Sequence, residues 1–575
     1  MNKRKYKDYL YQLRQISDIK DLVESSASLF ADKTAFYIKD IPGGEYKPIS
    51  YKQLKEDIDA LGTAFIHMGF KDKKIALIGE NSYEWVVTYF AVVNGTGVVV
   101  PLDKELHPKE INALLTRSKA AVAVYSKKTK AVIDEAKTGV NSLEQTIVMT
   151  DLPGLIEKGR QMVLRGDTSF TGAEIDPRAL CALLYTSGTT GLAKGVMLSH
   201  ENIALNVYNM STHVKISENG IGLSVLPMHH TYELTCHILT GLYQGVGIAI
   251  CEGLKHIVGN MAEIKATVML GVPLVFESMH KKIWKQAEAS GKAEKMRKAI
   301  KLSKMFKLYN HPKIIKKMFK QVHAVTGGNI EMFIAGGAGI NPKVVEDLEA
   351  MGFPMIQGYG LTESSPIIAA NKDRYSKSNS VGFAVPGTEI KIINPDENGI
   401  GEIICKGPSI MLGYYEDPDE SAKVLKEGWL YTGDYGYFDE DGMLYISGRK
   451  KNVIVTKNGK NIFPEEVEFY LGQSPYILEA LVYGAENEKT GDTIVKASIV
   501  PDYESITEEK GELAIDEIRD IIKGEIDNAN ELMTAYKRVK RFDIRETEFA
   551  KTTTRKIKRY EAENVSGPIM KGEEK

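Results

Sequence analysis

Cysteine is scarce in this sequence, and no Cys-x-x-Cys pair occurs among its four members, which are Cys181, Cys236, Cys251 and Cys405. Three of them stand in apolar runs, so we expect buried free thiols rather than disulfides or zinc ligands. An uninterrupted apolar run of about eighteen residues is also missing, which argues against a membrane-spanning segment. Lys3 to Lys5 are basic but precede no apolar run, so we expect no signal peptide and a cytoplasmic protein.

A large excess of either charge is absent as well. The net charge is −2, so the chain as a whole has no attraction for nucleic acid, and we expect no nucleic-acid partner. Charged residues make up 26% and hydrophobic residues 43%, which is ordinary for a globular protein. A length of 575 residues predicts three or four domain-sized units.

Apolar periodicity predicts alternating helices and strands in the N-terminal part. We expect helices over 9–29, 51–68 and 83–93, and strands over 74–79 and 97–100, the latter ending at Pro101. The alternation continues through 111–124, which is typical of a parallel α/β sheet.

The most distinctive segment, 185–195, follows an apolar run over 179–184 that reads as a buried strand. Hydroxyls, glycines and one lysine are concentrated there, namely Thr186, Ser187, Gly188, Thr189, Thr190, Gly191, Lys194 and Gly195. Glycines let backbone N–H groups approach a ligand, and the lysine adds a positive charge, so the segment predicts a polyphosphate-binding loop. A flexible surface loop is the alternative. Gly195 directly after Lys194 excludes the Walker pattern.

A second distinctive segment runs Gln357-Gly358-Tyr359-Gly360-Leu361-Thr362-Glu363. It offers an aromatic ring to stack on a base, a hydroxyl for a phosphate oxygen and a carboxylate for Mg²⁺. A structural turn explains the two glycines but leaves Thr362 and Glu363 without a reason.

Three further features allow more than one interpretation. His229 and His230 follow a predicted strand over 222–226 and could bind a metal, although no third ligand has helical spacing to them. Gly336-Gly337-Ala338-Gly339 follows an apolar run but lacks the dinucleotide spacing. Asp434 follows a glycine, where an aspartate is commonly a turn residue.

The segment 281–320 carries fourteen Lys or Arg residues and two acids, Glu288 and Glu294. Its apolar residues recur at roughly helical intervals, namely Met296, Ala299, Ile300, Met305, Phe306 and Tyr309. One interpretation is a solvated helical pair packed on the domain, and the other is a surface that contacts a membrane.

The order Tyr-Thr-Ser-Gly-Thr-Thr-Gly-x-x-Lys-Gly over 185–195 resembles the signature of the acyl-adenylate-forming (AMP-binding) superfamily, and the segment 281–320 resembles its long-chain fatty acid–CoA ligases. The resemblance implies a large N-terminal α/β domain of stacked subdomains over 1–449 and a small mobile α/β domain over 450–575. It implies that ATP activates a fatty acid of medium or long chain as an acyl-adenylate, which coenzyme A converts to acyl-CoA. An acyl-carrier-protein ligase, an aryl-CoA ligase and a nucleotide-binding scaffold are alternatives.

The resemblance also implies roles for residues of the N-terminal domain. The loop from Thr186 to Gly191 and Lys194 would hold the phosphates of ATP. Gly336, Gly337, Ala338 and the stretch Gln357 to Gly360 would surround the adenine, with Tyr359 beside it. Thr362 would bind the α-phosphate and Glu363 would ligate Mg²⁺. His230 would line the carboxylate end of the acyl pocket, and Thr231 stands where members that activate amino acids carry Asp.

Near the C-terminus, the resemblance implies that Asp434 grips the ribose hydroxyls and that Arg449 contacts ribose or phosphate. Lys451 would be the hinge, Gly459 would lie near the thiol donor, and Lys556 would be the catalytic lysine. Arg555 stands where the family usually has Gly. A homodimer, and peripheral contact with the inner face of a membrane through 281–320, stay open.

Overall fold

The computed structural model describes residues 11–186, 193–373, 375–456, 460–486, 492–552 and 557–559. The chain divides into two compact units. The first comprises Met1–Ile390, Cys405–Leu430 and Glu440–Leu444, and the second comprises Lys391–Ile404, Tyr431–Asp439 and Tyr445–Lys575. The second unit therefore takes in three stretches that precede the predicted domain boundary after residue 449, namely 391–404, 431–439 and 445–449. That boundary stays a prediction.

A seven-stranded sheet forms one layer of the first unit. Its strands in spatial order are Gly413–Tyr414, Lys194–Ser199, Leu180–Thr186, Gly97–Leu102, Lys73–Ile78, Val122–Tyr125 and Gln145–Val148. The last five are parallel, and the first two pair antiparallel. The central strands are buried Val, Ile, Leu and Ala residues, as expected for a parallel sheet covered on both faces.

A nine-stranded sheet forms the other main layer of the first unit. Its strands in order are Phe383–Ala384, Ile367–Ala370, Met355–Gly360, Met332–Ala335, Val268–Gly271, Ile221–Ser224, Gly247–Ile250, Thr34–Ile38 and Lys47–Ser50. The six strands from Met355–Gly360 to Thr34–Ile38 are parallel, so their carboxyl ends share one edge. That edge carries the glycine-rich and Thr-Glu motifs of the sequence.

Helices cover these sheets. The α-helices described in the first unit are Ile19–Leu29, Tyr51–His67, Tyr83–Ala91, Pro108–Ser118, Lys130–Ala136, Leu152–Leu164, His200–Ser211, Thr231–Glu233, Thr240–Gln244, Ile257–Ile264, Pro273–Ala289, Ala293–Phe306, Pro312–Met318, Lys320–Val325, Pro342–Ala350 and Pro418–Val424. Local signals explain several starts: Ser199 caps His200–Ser211 and accepts from Asn202 N, in a capping box.

A smaller five-stranded sheet comprises Glu389–Ile393, Gly401–Lys406, Trp429–Phe438, Leu425–Lys426 and Leu444–Arg449. The C-terminal part of the second unit contains the pair Ile454–Val455 and Asn461–Ile462, and a three-stranded sheet of Ile477–Glu486, Thr493–Pro501 and Val539–Ile544. Its helices are Pro464–Leu471, Tyr503–Lys510 and Ile515–Glu531, and Pro464 occupies the first helical position, where its missing N–H costs nothing. The fold is α/β, as predicted.

Two local predictions were wrong. Residues 11–18 are not helical, and the first helix begins at Ile19. It begins there because Asp18 is extended and its side chain caps the helix by accepting a hydrogen bond from Asp21 N. The strand expected to end at Pro101 continues to Leu102, and Pro101 pairs with Leu77 of the neighbouring parallel strand. All four cysteines are buried and free, which confirms that prediction. Each helix in the described part of the chain is too short or too polar to span a bilayer.

The lysine-rich segment forms three helices rather than a pair: it spans the end of Pro273–Ala289, all of Ala293–Phe306 and Pro312–Met318. Its apolar residues divide into two groups, and membrane contact through this segment stays a prediction. Met296, Ala299 and Ile300 pack on the core, whereas Met305, Phe306 and Tyr309 are exposed.

Candidate active site

The predicted phosphate loop connects two antiparallel strands, Leu180–Thr186 and Lys194–Ser199, and Thr186 lies directly opposite Lys194. Residues Ser187 to Gly191 lie outside the described residues. The Lys194 ammonium lies 2.5 Å from Glu420 Oε2 and 5.0 Å from the ring centroid of Tyr414. A strand thus follows the loop, whereas a helix follows a Walker loop.

Tyr414 connects Lys194 to Glu363. The Tyr414 hydroxyl donates to Glu363 Oε1 at 2.9 Å, while its ring lies beside the Lys194 ammonium. Burial, and then the Glu363 carboxylate, raise the pKa of Tyr414 well above its usual value, so the hydroxyl remains a donor. Two predicted site residues that are 169 positions apart are therefore brought together by a residue that the motifs did not indicate.

Glu363 lies in the single 3-10 turn Thr362–Ser364, just beyond the strand Met355–Gly360. Among the described residues, no group of three or more His, Cys, Asp or Glu side chains is arranged to hold a metal. Mg²⁺ is commonly held by one or two carboxylates together with substrate phosphates and water, and a single oriented carboxylate fits that pattern. The role of Glu363 as the magnesium ligand stays a prediction.

The alternative metal pair, His229 and His230, has no such cluster around it in the part of the chain that is described. The two rings lie 4.2 Å apart, and burial lowers the pKa of His229 to about 3. His230 immediately precedes the short helix Thr231–Glu233, whose middle residue, Tyr232, reaches the glycine turn described below.

The Gly336–Ala338 turn follows the strand Met332–Ala335, and the Tyr232 ring covers it. A Cβ at Gly336 would lie 2.8 Å from Tyr232 Cζ, so only glycine fits under the ring. The Tyr232 hydroxyl donates to Ile334 O at 3.0 Å, which fixes the ring in place. Gly337 has a φ of +84°, where a side chain would be strained.

The strand Met355–Gly360 supplies several predicted residues in different environments. The Gln357 amide donates to Ser378 O at 2.9 Å and holds a neighbouring loop. A Cβ at Gly360 would lie 1.8 Å from Pro366 O, which requires glycine, whereas one at Gly358 would meet neighbours at ordinary contact distance. Tyr359 is half-buried and pairs with Ala369.

An apolar cavity of about 30 Å³ adjoins Gly358 and Tyr232. The residues that line it are Met210, Val214, Ile216, Tyr232, Cys236, Thr240, Ile334, Ile356, Gly358, Ile367 and Ala370. None of these lining residues is charged. A cavity of this kind accepts apolar groups and rejects charged ones, because burying an unpaired charge is costly.

The second unit brings together the two residues predicted to contact ribose. Arg449 Nε lies 2.9 Å from Asp434 Oδ1, and the Asp434 side chain is buried. Asp434 lies inside the strand Trp429–Phe438, so the turn interpretation is wrong. Lys451 lies in the single turn Lys450–Asn452.

Gly459 and Lys556 lie outside the described residues. Residues on either side of Lys556 nevertheless make backbone and side-chain contacts within the second unit. Lys551 pairs with Ile557, and Arg559 donates to Glu468 Oε1 at 2.6 Å and to Val482 O at 3.0 Å.

Comparison with known families explains this combination of motifs. The model of the AMP-binding enzyme family matches residues 23–415, and that of the AMP-binding enzyme C-terminal domain matches 451–565. This chain belongs to the AMP-binding enzyme family. Among AMP-binding enzymes, it is 28% identical to a long-chain-fatty-acid–CoA ligase of Escherichia coli O6:H1, over 85% of this chain and 86% of that one.

Two other AMP-binding enzymes act on aromatic acids, according to their names. The indoleacetate–CoA ligase of Aromatoleum aromaticum is 28% identical, over 84% of this chain and 88% of its own. The crystal structure of an anthranilate CoA ligase with anthranoyl-AMP has a TM-score of 0.77 at 21% identity, covering 99% of both chains, and shows the same fold. The matches support adenylate-forming acid–CoA ligase activity that uses ATP, Mg²⁺ and coenzyme A.

Sequence reasoning missed Tyr232, Tyr414 and Glu420. Tyr232 comes two residues after His230, a predicted site residue, and Tyr414 follows a glycine in a short aromatic run, so both carried a weak local signal. Glu420 carried none, because its partner Lys194 is 226 residues away.

Proposed function

We propose that this AMP-binding enzyme is a fatty acid–CoA ligase for medium or long chains. The observation that carries the proposal is the apolar cavity beside Gly358 and Tyr232, whose lining residues include no charged side chain. A fatty acyl chain suits such a lining, whereas an amino acid would bury its ammonium there without a partner. Since the cavity is only about 30 Å³, the lining side chains must move apart to admit a long chain.

In the first step, the ionised acid attacks the α-phosphorus of ATP, pyrophosphate leaves, and an acyl-adenylate forms. No general base is needed, because a carboxylic acid is already ionised at neutral pH. Catalysis depends on neutralising phosphate charge and aligning the reactants. Lys194 and Lys556 would supply positive charge and Thr362 a hydrogen bond. Mg²⁺, held by Glu363, would neutralise phosphate charge when bound.

In the second step, the thiol of coenzyme A attacks the acyl carbon of the adenylate, and AMP leaves. Asp434 and Arg449 would hold the ribose, the Gly336–Ala338 turn and Tyr359 would enclose the adenine, and Gly459 would lie near the thiol. His230 would line the carboxylate end of the acyl pocket.

A pyrophosphate-exchange panel over fatty, aryl and amino acids tests the proposal, with coenzyme A added afterwards to detect the thioester. We expect exchange with medium or long fatty acids and thioester formation from the same acids. The Lys194→Met variant is the control that should lose exchange. Exchange confined to aryl acids would make the chain an aryl-CoA ligase. Thioester formed only on a carrier protein would change the acceptor, and ATP binding without exchange would favour a scaffold.

We also propose that the helix Ala293–Phe306 contacts an anionic membrane from which the water-insoluble acid arrives. One side of this helix packs on the core through Met296 and Ile300. A different side presents Leu302, Met305 and Phe306, and the last two are each 62% exposed. These positions share a face at 3.6 residues per turn.

The segment that carries these exposed apolar side chains is rich in positive charge. It contains fourteen basic and two acidic residues, and Lys298, Lys301, Lys307 and Lys313 are among its exposed lysines. Exposed aromatic and aliphatic side chains among lysines suit the interface of an anionic bilayer. A cytoplasmic location and the oligomeric state stay predictions.

A further inference from the structure

Lys194, the lysine assigned to the phosphates of ATP, already has a carboxylate partner. Glu420 Oε2 lies 2.5 Å from its ammonium, and the two side chains are 26% and 21% exposed. The first turn of the helix Pro418–Val424 holds Glu420, because Asp417 caps that helix and accepts from Glu420 N at 3.2 Å. The pair is thus part of the ordered structure and is partly shielded from water.

A carboxylate oxygen and a phosphate oxygen compete for the same donors of a lysine ammonium. Glu420 also has a second cation, since its other oxygen pairs with Lys423. Lys194 can therefore leave Glu420 without exposing an uncompensated carboxylate. The Tyr414 hydroxyl is bonded to Glu363, which holds the Tyr414 ring beside the Lys194 ammonium. This ring contact does not depend on which anion the ammonium binds.

We propose that Glu420 is a positioning residue that occupies the Lys194 ammonium in the nucleotide-free chain and is displaced by the phosphates of ATP. Glu420 would then set the affinity for ATP without contacting the reacting atoms. The proposal rests on the role proposed for Lys194. No covalent bond changes, because one anion replaces another on the same ammonium.

The test is the dissociation constant of Mg²⁺–ATP, measured by calorimetry without acid, for the Glu420→Gln variant. We expect ATP to bind about two- to fivefold more tightly, as the loss of one partly shielded ion pair would give. AMP, which lacks the β- and γ-phosphates, should bind as it does to the unmodified chain. Glu416→Gln is the matched control: its carboxylate lies on the same segment and pairs with the exposed Lys119, so ATP affinity should stay unchanged.

Two further variants separate competition from a structural effect. In the Lys194→Met background, Glu420→Gln should give no additional gain in ATP affinity, because the coupling partner is missing. Lys423→Met should weaken ATP binding, since Glu420 would then hold Lys194 more firmly. Weaker ATP binding by Glu420→Gln, or the same gain in the Lys194→Met background, would overturn the proposal. Failure of the unmodified chain to bind ATP would instead overturn the proposed function.

Discussion

At the scale of single residues, the need for glycine in the site depends on how closely other backbone atoms approach each glycine. Gly358 and Gly360 lie two positions apart on the same strand, and both belong to the sequence motif. Only Gly360 faces a carbonyl oxygen, Pro366 O, at a distance that a Cβ could not tolerate. The motif alone gives the two glycines equal weight, whereas the structure assigns them different requirements.

Gly360→Ala should therefore lower the free energy of unfolding by more than about 3 kcal/mol, because the strand must shift away from the Pro366 carbonyl. Gly358→Ala is the matched control and should change it by less than about 1 kcal/mol, since its Cβ meets neighbours at ordinary contact distance. Urea unfolding followed by tryptophan fluorescence measures both. Equal losses in the two variants would contradict this assignment.

Tyr414 gives a second prediction at this scale. Tyr414→Phe removes the hydrogen bond to Glu363 and keeps the ring beside Lys194. We expect the Mg²⁺ concentration for half-maximal pyrophosphate exchange to rise about three- to tenfold, as the loss of one carboxylate-orienting contact gives. The affinity for metal-free ATP should stay the same. A change in metal-free ATP binding with normal Mg²⁺ dependence would assign the hydroxyl to the nucleotide instead.

At the scale of elements, the helix Ala293–Phe306 has two apolar sides, of which one is buried and the other is exposed. Met296 and Ile300 belong to the core, and their exposure to water would cost stability. Leu302, Met305 and Phe306 are 46%, 62% and 62% exposed to solvent. Helical spacing alone predicted one apolar side and did not separate the two.

Binding to phosphatidylglycerol vesicles at low salt should therefore exceed binding to phosphatidylcholine vesicles. Replacing Lys298, Lys301, Lys307 and Lys313 with Glu should reduce it at least about tenfold, since each lysine near an anionic surface contributes roughly 1 kcal/mol. Met305→Ser with Phe306→Ser should weaken binding at every salt concentration. Leu164→Ser, at an exposed apolar position elsewhere, is the control and should bind normally. Vesicle binding that none of these variants changes would refute the proposed contact.

At the scale of the whole molecule, buried histidines predict how stability depends on pH. Burial lowers the pKa of His200 to about 4 and that of His213 to about 3. In the unfolded chain, these groups take up protons near pH 6.5, so stability is lost as the pH falls below that value. The loss continues until the pH reaches the folded-state pKa.

Each of the two histidines should therefore remove about 2 kcal/mol of unfolding free energy between pH 7.5 and pH 5. His213→Gln should reduce that pH-dependent loss by a similar amount, whatever its effect at pH 7.5. Denaturant unfolding at the two pH values measures the difference, and His311→Gln, at an exposed position, should behave like the unmodified chain. An unchanged pH dependence in His213→Gln would show that the pKa of His213 does not differ between the folded and unfolded states.

Local sequence patterns were enough to predict the α/β class and the buried strand that leads into the segment 185–195. Both predictions depend on the spacing of apolar residues that are close together in the chain. The tertiary structure was needed to show that Tyr414 joins Lys194 to Glu363, that Glu420 pairs with Lys194, and which apolar side of one helix is buried. Such contacts join segments up to 226 residues apart, and they depend on how the layers pack rather than on local conformation.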